Sequence, residues 1–213
     1  MTELGAPVLG CCPLYPPLEL LDALGVVPRV LWGRRDPAAE HAGAHLQPFV
    51  CAPARGLLER VLAAEPALDG LLWLNACDTL RNLPEIAAAA LAAAGRRLPA
   101  FQLHLPQIAL ARPEAAQLLR QELAALVAAL EEWTGRRLER DAFRLACERR
   151  AAIAERARRL AEELAAGRLG FDAYCDLLDP DRAEPPAATL ARLDAALEAC
   201  RAAAPAAAPR GRV

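Results

Sequence analysis

Five apolar runs lie in the first half of the chain, and helical spacing follows several of them. Pro7–Gly10 reads as a short strand, and "PPLELLDALG" after it as a helix closed by Gly25. Val26–Gly33 is a second apolar run. Leu46–Val50 reads as a strand that feeds the helix "APARGLLERVLAAE". Gly70–Asn75 is a continuous buried strand, "TLRNLPEIAAAALAAAG" a helix ending at Gly95, and Leu98–Pro106 a further strand. Unbroken apolar strands alternating with helices predict an α/β fold, a parallel Rossmann/flavodoxin-like sheet with helices on both faces.

After about residue 110 the period changes to helix throughout. Leu119, Leu123, Leu126, Val127 and Leu130 form one stripe that starts after Pro113 and stops at Gly135. A second helix carries Phe143, Ala146, Ile153, Leu160 and Leu164 opposite a face of Arg and Glu at three- and four-residue spacing, which reads as solvated and ion-paired. "TLARLDAALEAC" is a third helix. The predicted organisation is an α/β unit over 1–110, a helical segment over 111–202 and a low-complexity tail or linker over 203–213.

Composition narrows the function. Hydrophobic residues make up 55% of 213, enough for a core. A formal net charge of -2 gives no basic surface for nucleic acid, and every basic side chain apart from histidine is arginine. No uncharged apolar stretch reaches the ~18 residues of a membrane span. The start "MTELGAPVLG" lacks the charged and apolar regions of a signal peptide, so a cytoplasmic, reducing location is expected. Seven cysteines there point to metal binding, catalysis or burial ahead of disulfides.

Three of those cysteines share a setting. Cys12, Cys51 and Cys77 each follow a predicted strand and precede a predicted helix. In an open parallel sheet, ligands bind outside the carboxyl ends of the strands, so all three are aimed at one crevice. Each also lies near a helix N-terminus, whose partial positive charge favours an anion. Three thiolates in one crevice suit a soft metal centre such as an iron–sulfur cluster. A buried cysteine taken alone is more often a small hydrophobe; the threefold coincidence carries the metal reading. No C-x-x-C pair is present, so ferredoxin and zinc-ribbon patterns are absent. Cys147, Cys175 and Cys200 fall in the helical half and read as core or surface thiols, while His41, His45 and His104 read as neutral or solvated. No catalytic residue is assigned.

Beyond these local patterns, "PLYPPLELLDALGVVPRVLWG", "HLQPFVCAPARGLLERVL" and "LDGLLWLNACDTLRNLPEI" resemble the 2-hydroxyacyl-CoA dehydratase family, which includes benzoyl-CoA reductase subunits. "FQLHLPQ" and "LVAALEEWTGRRLERDAFRLA" continue the likeness, which runs from about Gly10 to Leu164 and is most specific at "NACDTLRN". The resemblance implies a subunit whose cysteines hold a [4Fe-4S] cluster with one iron free for substrate. It implies a low-potential electron from an ATP-dependent activator protein, a sister dehydratase subunit, and an acyl-CoA substrate dehydrated or reduced through a radical. The family's second and third ligands match Cys51 and Cys77. Its first falls at Cys12 or the adjacent Cys11, with Cys12 nearer the register set by Tyr15, Pro17 and Glu19. Asp78 and Thr79 fit an N-cap role, and Arg81 could face the cluster, a CoA phosphate or solvent. Family subunits carry a second α/β domain, so "PRGRV" reads as the lead-in to a domain beyond this chain. The expected function is therefore a dehydratase-type lyase subunit, the alternatives being a cluster-binding electron-transfer or scaffold protein without turnover and a metal-free structural role.

Overall fold

A computed structural model describes residues 5–32, 40–64, 67–109 and 111–202. Four short parallel strands form the sheet: β1 (Val8–Cys11), β2 (Val27–Val30), β3 (Gly70–Leu74) and β4 (Ala100–Leu103), in the order β2-β1-β3-β4. Central β1 and β3 are buried along their whole length, as unbroken apolar runs require. Helix α1 (Leu18–Ala23) links β1 to β2, α2 (Ala52–Ala63) links β2 to β3, and α3 (Asp78–Ala93) links β3 to β4. The first link runs outward from β1 in one direction; the next two run in the other. Right-handed crossovers then put α1 on one face and α2 with α3 on the opposite face. The packing agrees, since α2 contacts α3 and α1 contacts a helix from the second half. The chain therefore reverses direction between β1 and β3, the point where open α/β sheets bind ligands.

β1 carries a glycine for a packing reason. A Cβ at Gly10 would lie 2.7 Å from Leu68 Cδ1, 3.0 Å from Leu31 Cδ1 and 3.1 Å from Leu71 Cδ2. The main core gathers Leu9, Leu21, Leu24, Leu31, Leu57, Leu58, Leu72, Leu74, Leu83 and Leu103, and α4 (Pro113–Thr134) adds Leu126 and Leu130 to it. Pro113 occupies the first turn of α4, and Gly135 closes it with φ 67°. A second core joins α5 (Arg140–Ala165) and α7 (Pro186–Ala202) through Leu160, Leu193, Leu197 and Cys200, with Tyr174 and Leu177 of α6 (Phe171–Leu177) packed against it.

Ion pairs fasten the two cores together. Arg150 of α5 grips Asp22 of α1 through both carboxylate oxygens, at 2.5 and 2.8 Å. Arg60 of α2 reaches Asp181 at 2.5 Å, and the Arg29 Nε donates to the Asp181 carbonyl at 2.6 Å. The Val30 N–H donates to the Pro180 carbonyl at 3.1 Å, so the segment before α7 covers the outer edge of β2. Between α4 and the α1–α5 pair lies an apolar groove of about 810 Å³, lined by Leu20, Leu123, Val127, Phe143 and Cys147 among others.

Two local readings change. Leu46–Val50 is not a strand; it is a run of turns after a short 3-10 turn at Ala42–Ala44. Pro48 has no N–H to give a ladder, and the edge of β2 where such a strand would pair is taken by Pro180. Leu46 is buried and Phe49 exposed, so the segment contributes a side chain to the core without joining the sheet. Helix α6 is absent from the sequence reading, because none of its residues is fully buried and no long apolar stripe marks it. Among the described residues no helix is long and apolar enough to cross a membrane.

Candidate functional site

The carboxyl ends of β1 and β3 bring two of the predicted cysteines to the point where the chain reverses. Cys12 follows β1 directly, and its N–H extends the ladder to Leu72 O at 2.8 Å. Cys77 lies three residues beyond β3 and is the N-cap residue of α3. Cys51 is the N-cap residue of α2, preceded by the turns described above and not by a strand. Its position at the edge comes from α2, which packs beside α3. Cys12 is buried, whereas Cys51 and Cys77 are exposed, and neither N-cap cysteine spends its side chain on a capping hydrogen bond.

The pleat separates Cys11 from Cys12, because successive side chains of a strand point to opposite faces. The Cys11 thiol donates back to Leu9 O at 3.5 Å. Burial, and then the neighbouring Cys12, push that thiol far above its ordinary value, with the Arg29 N–H and the Arg150 charge pulling back. Cys12 has different company. Its thiol is pushed up to about 12, first by burial and further by Cys77, against the pull of the Leu74 N–H. Cys77 thus bears on the Cys12 thiol, while Cys11 is pushed by Cys12 and pulled back by Arg29 and Arg150. A metal ligand at Cys12 must lose its proton on binding.

The loops around these cysteines are held under local constraint. Leu14 and Tyr15 both adopt left-handed backbone, with φ 75° and 62°. Each such non-glycine residue costs on the order of 1–3 kcal/mol, and both side chains stand in solvent. Asn75 clamps the ends of β3 and β4 together: its Oδ1 accepts the Leu105 N–H at 2.6 Å and its Nδ2 donates to Leu105 O at 3.3 Å. Buried Glu59 of α2 orders the approach to Cys51, accepting the N–H groups of His41 at 2.9 Å and Ala42 at 2.8 Å, and bonding the His41 ring at 2.7 Å. Burial raises that carboxyl, but the Ala42 and His41 bonds outweigh it and hold it below its ordinary value. His104 is paired with Glu122 at 3.0 Å. Asp78 does not cap α3: it is the first helical residue, fully in solvent, and pairs with Arg81 at 3.4 Å. Sequence reasoning misses Glu59, since nothing local ties a helical glutamate to a turn 17 residues earlier.

Among the described residues, no group of three or more His, Cys, Asp or Glu side chains stands at the spacing for one metal ion. A single thiolate-bound ion would draw its sulfurs to ~2.3 Å from one point. A polynuclear centre gives each thiolate an iron of its own and accepts wider separation. The donor chemistry also fits: Cys12, Cys51 and Cys77 are all free thiols, and thiolates match soft metals.

Known proteins are similar to this chain. The family described as 2-hydroxyglutaryl-CoA dehydratase, D-component, matches residues 13–212. The chain is 30% identical over 142 residues to the β subunit of (R)-2-hydroxyglutaryl-CoA dehydratase from Acidaminococcus fermentans, covering 65% of this chain and 36% of that one. It is 34% identical over 82 residues to the β subunit of (R)-phenyllactyl-CoA dehydratase from Clostridium sporogenes, covering 38% of this chain and 22% of that one. It is 32% identical over 78 residues to one of the subunits of benzoyl-CoA reductase from Thauera aromatica, covering 36% and 20%. The chain thus spans about a third or less of the length of these relatives. A family match over nearly the whole chain, on a parallel α/β sheet with a helical second half, means that the chain belongs to the 2-hydroxyglutaryl-CoA dehydratase D-component family.

Proposed function

We propose that this chain is the iron–sulfur subunit of an enzyme of the 2-hydroxyacyl-CoA dehydratase type, in which Cys12, Cys51 and Cys77 hold a [4Fe-4S] cluster. One observation carries the reading: β1 and β3, the strands on either side of the reversal, are paired neighbours in the sheet, and Cys12 and Cys77 follow their carboxyl ends. Cys51 and Cys77, the N-cap residues of the packed helices α2 and α3, support the reading as the other two ligands. Cys12 is preferred over Cys11 because Cys11 points to the opposite face. When bound, the cluster supplies one-electron chemistry to a thioester, with one iron free of protein ligands.

The chain's own residues set the conditions. Burial of Cys12 anchors the inner side of the site, and the exposed Cys51 and Cys77 leave its outer side open. An open side suits a sister subunit and an ATP-dependent activator as partners, with an acyl-CoA thioester, dehydrated or reduced, as substrate. The same exposure favours a second reading, a cluster-holding electron-transfer or scaffold protein without turnover. Binding of an acyl-CoA to the cluster-loaded chain, seen as a change in the cluster spectrum, separates the two.

The test of the assignment is anaerobic reconstitution of the full chain with ferrous iron and sulfide. Cys12→Ser, Cys51→Ser and Cys77→Ser should each lower bound iron and sulfide, whereas Cys175→Ser and Cys200→Ser should not. Equal iron in all five variants would overturn it.

A further inference from the structure

Each exposed N-cap cysteine is followed one helical turn later by an arginine: "CAPAR" gives Cys51 and Arg55, and "CDTLR" gives Cys77 and Arg81. Residues four apart share a helix face, and the backbone draws each pair together. The Arg55 N–H donates to Cys51 O at 3.2 Å, and the Arg81 N–H donates to Cys77 O at 3.0 Å. Long helical side chains lean toward the N-terminus, and both guanidinium groups do. Arg55 reaches back past Cys51 to Pro48 O at 3.3 Å, and Arg81 reaches back to Asp78 at 3.4 Å.

Neither arginine is used up by these bonds. The Nε of Arg55 is buried with no hydrogen-bond partner among the described residues. Asp78 and Arg81 are 95% and 58% exposed, and such a surface pair contributes only about 0–1 kcal/mol, too little to fix the guanidinium. Asp181 and Glu131 show the contrast: they hold Arg60 and Arg137 in closer pairs.

Resting on the cluster reading above, we propose that Arg55 and Arg81 are a matched pair of positioning residues that offset the negative charge of a thiolate-held cluster at Cys51 and Cys77. Three thiolates and bridging sulfides make such a centre anionic, and each added electron makes it more so. A cation on the same helix face stabilises the reduced form more than the oxidised form, and its N–H groups can donate to sulfur. Both effects raise the reduction potential. The two arginines therefore decide how strong a donor is needed to load the electron.

The test reconstitutes the full chain with ferrous iron and sulfide and measures iron content and the midpoint potential by spectroscopic titration. Arg55→Gln and Arg81→Gln should each shift the potential to more negative values, and the double variant further still. Arg55→Lys and Arg81→Lys, which keep the charge, should retain most of it. Arg112→Gln is the control, because Arg112 lies on the same edge at the start of α4 with no cysteine in its turn. Loss of the cluster in the Gln variants alone, with the Lys variants loaded, would also support a charge role. An unshifted potential in loaded Gln variants would overturn the inference and leave the cluster assignment standing. Equal loss of iron in the Gln and Lys variants, with helical content intact, would overturn it as well, because packing and not charge would then be at stake. A wild-type chain that takes up no iron would remove both the inference and the reading beneath it.

Discussion

Replacing Arg150 with alanine should destabilise the protein more than any change on the solvated face of α5. Arg150 makes two hydrogen bonds to Asp22, and the two side chains are only 18% and 5% exposed. Removing one partner of a buried ion pair costs about 3–5 kcal/mol, because the other charge is left without compensation. Arg150 keeps some water contact, so the lower figure applies. At roughly 2–4 °C per kcal/mol for a chain of this size, a loss of about 3 kcal/mol lowers Tm by roughly 6–12 °C. The pH dependence gives the argument a second handle. Burial holds the Asp22 carboxyl above its ordinary value, and the Arg150 bond and charge pull it only part of the way back. A raised folded pKa means that the group favours folding below its unfolded value of about 3.9, and that this contribution is lost as pH rises through the folded value. Without Arg150 that cost grows, so the deficit of Arg150→Ala should be largest at neutral pH and shrink on acidification. Thermal unfolding of Arg150→Ala, Asp22→Asn and the double variant across that range is the assay. Arg150→Ala should cost much less in the Asp22→Asn background, where no carboxylate is stranded. An equal cost in both backgrounds and at every pH would refute the reasoning.

Three further outcomes follow from named contacts. Gly10→Ala should cost about 1–3 kcal/mol by overpacking, read as a lower denaturation midpoint, since its Cβ meets three leucine side chains at 2.7–3.1 Å. Cys12→Ser should abolish cluster uptake and Cys11→Ser should keep most of it, measured as bound iron; the reverse result would move the ligand by one residue. Glu59→Gln should loosen the turn that leads to Cys51, seen as faster amide exchange at His41 and Ala42. Because Glu59 is held below its ordinary value, its contribution is present above about 4.3 and is lost as pH falls through the folded value, so wild type should approach the variant in acid.

The parallel sheet was legible because β1 and β3 are buried on both faces, which forces unbroken apolar runs such as "GLLWL". The helical half was legible from caps, with Pro113 and Gly135 marking the ends of α4. "LQPFV" misled because an apolar pentamer satisfies either a strand or a turn that drops one leucine into the core. What decides between them is Pro180 on the β2 edge and Glu59 under the loop, both remote in sequence. At the site, the helix starts behind Cys51 and Cys77 could be read from sequence. The capping role could not: the cap falls on Cys77 itself, and Asp78 is left to pair with Arg81. Between Cys11 and Cys12 the sequence gives only the register set by Tyr15, Pro17 and Glu19, because adjacent identical residues carry no signal of which face is which.

The cover over β2 has a consequence for the order of synthesis. Pro180 and Asp181 seal the outer edge of that strand, yet they emerge about 150 residues after it, or roughly 8 to 30 s later at 5–20 residues per second. Through that interval a nascent sheet presents unpaired backbone groups, the kind of edge that recruits foreign strands. The closing pieces, Arg29 and Arg60, are in place early and wait for a single aspartate. Slow translation, or a stop upstream of Pro180, would therefore leave a chain with most of its core in place and an open template for aggregation.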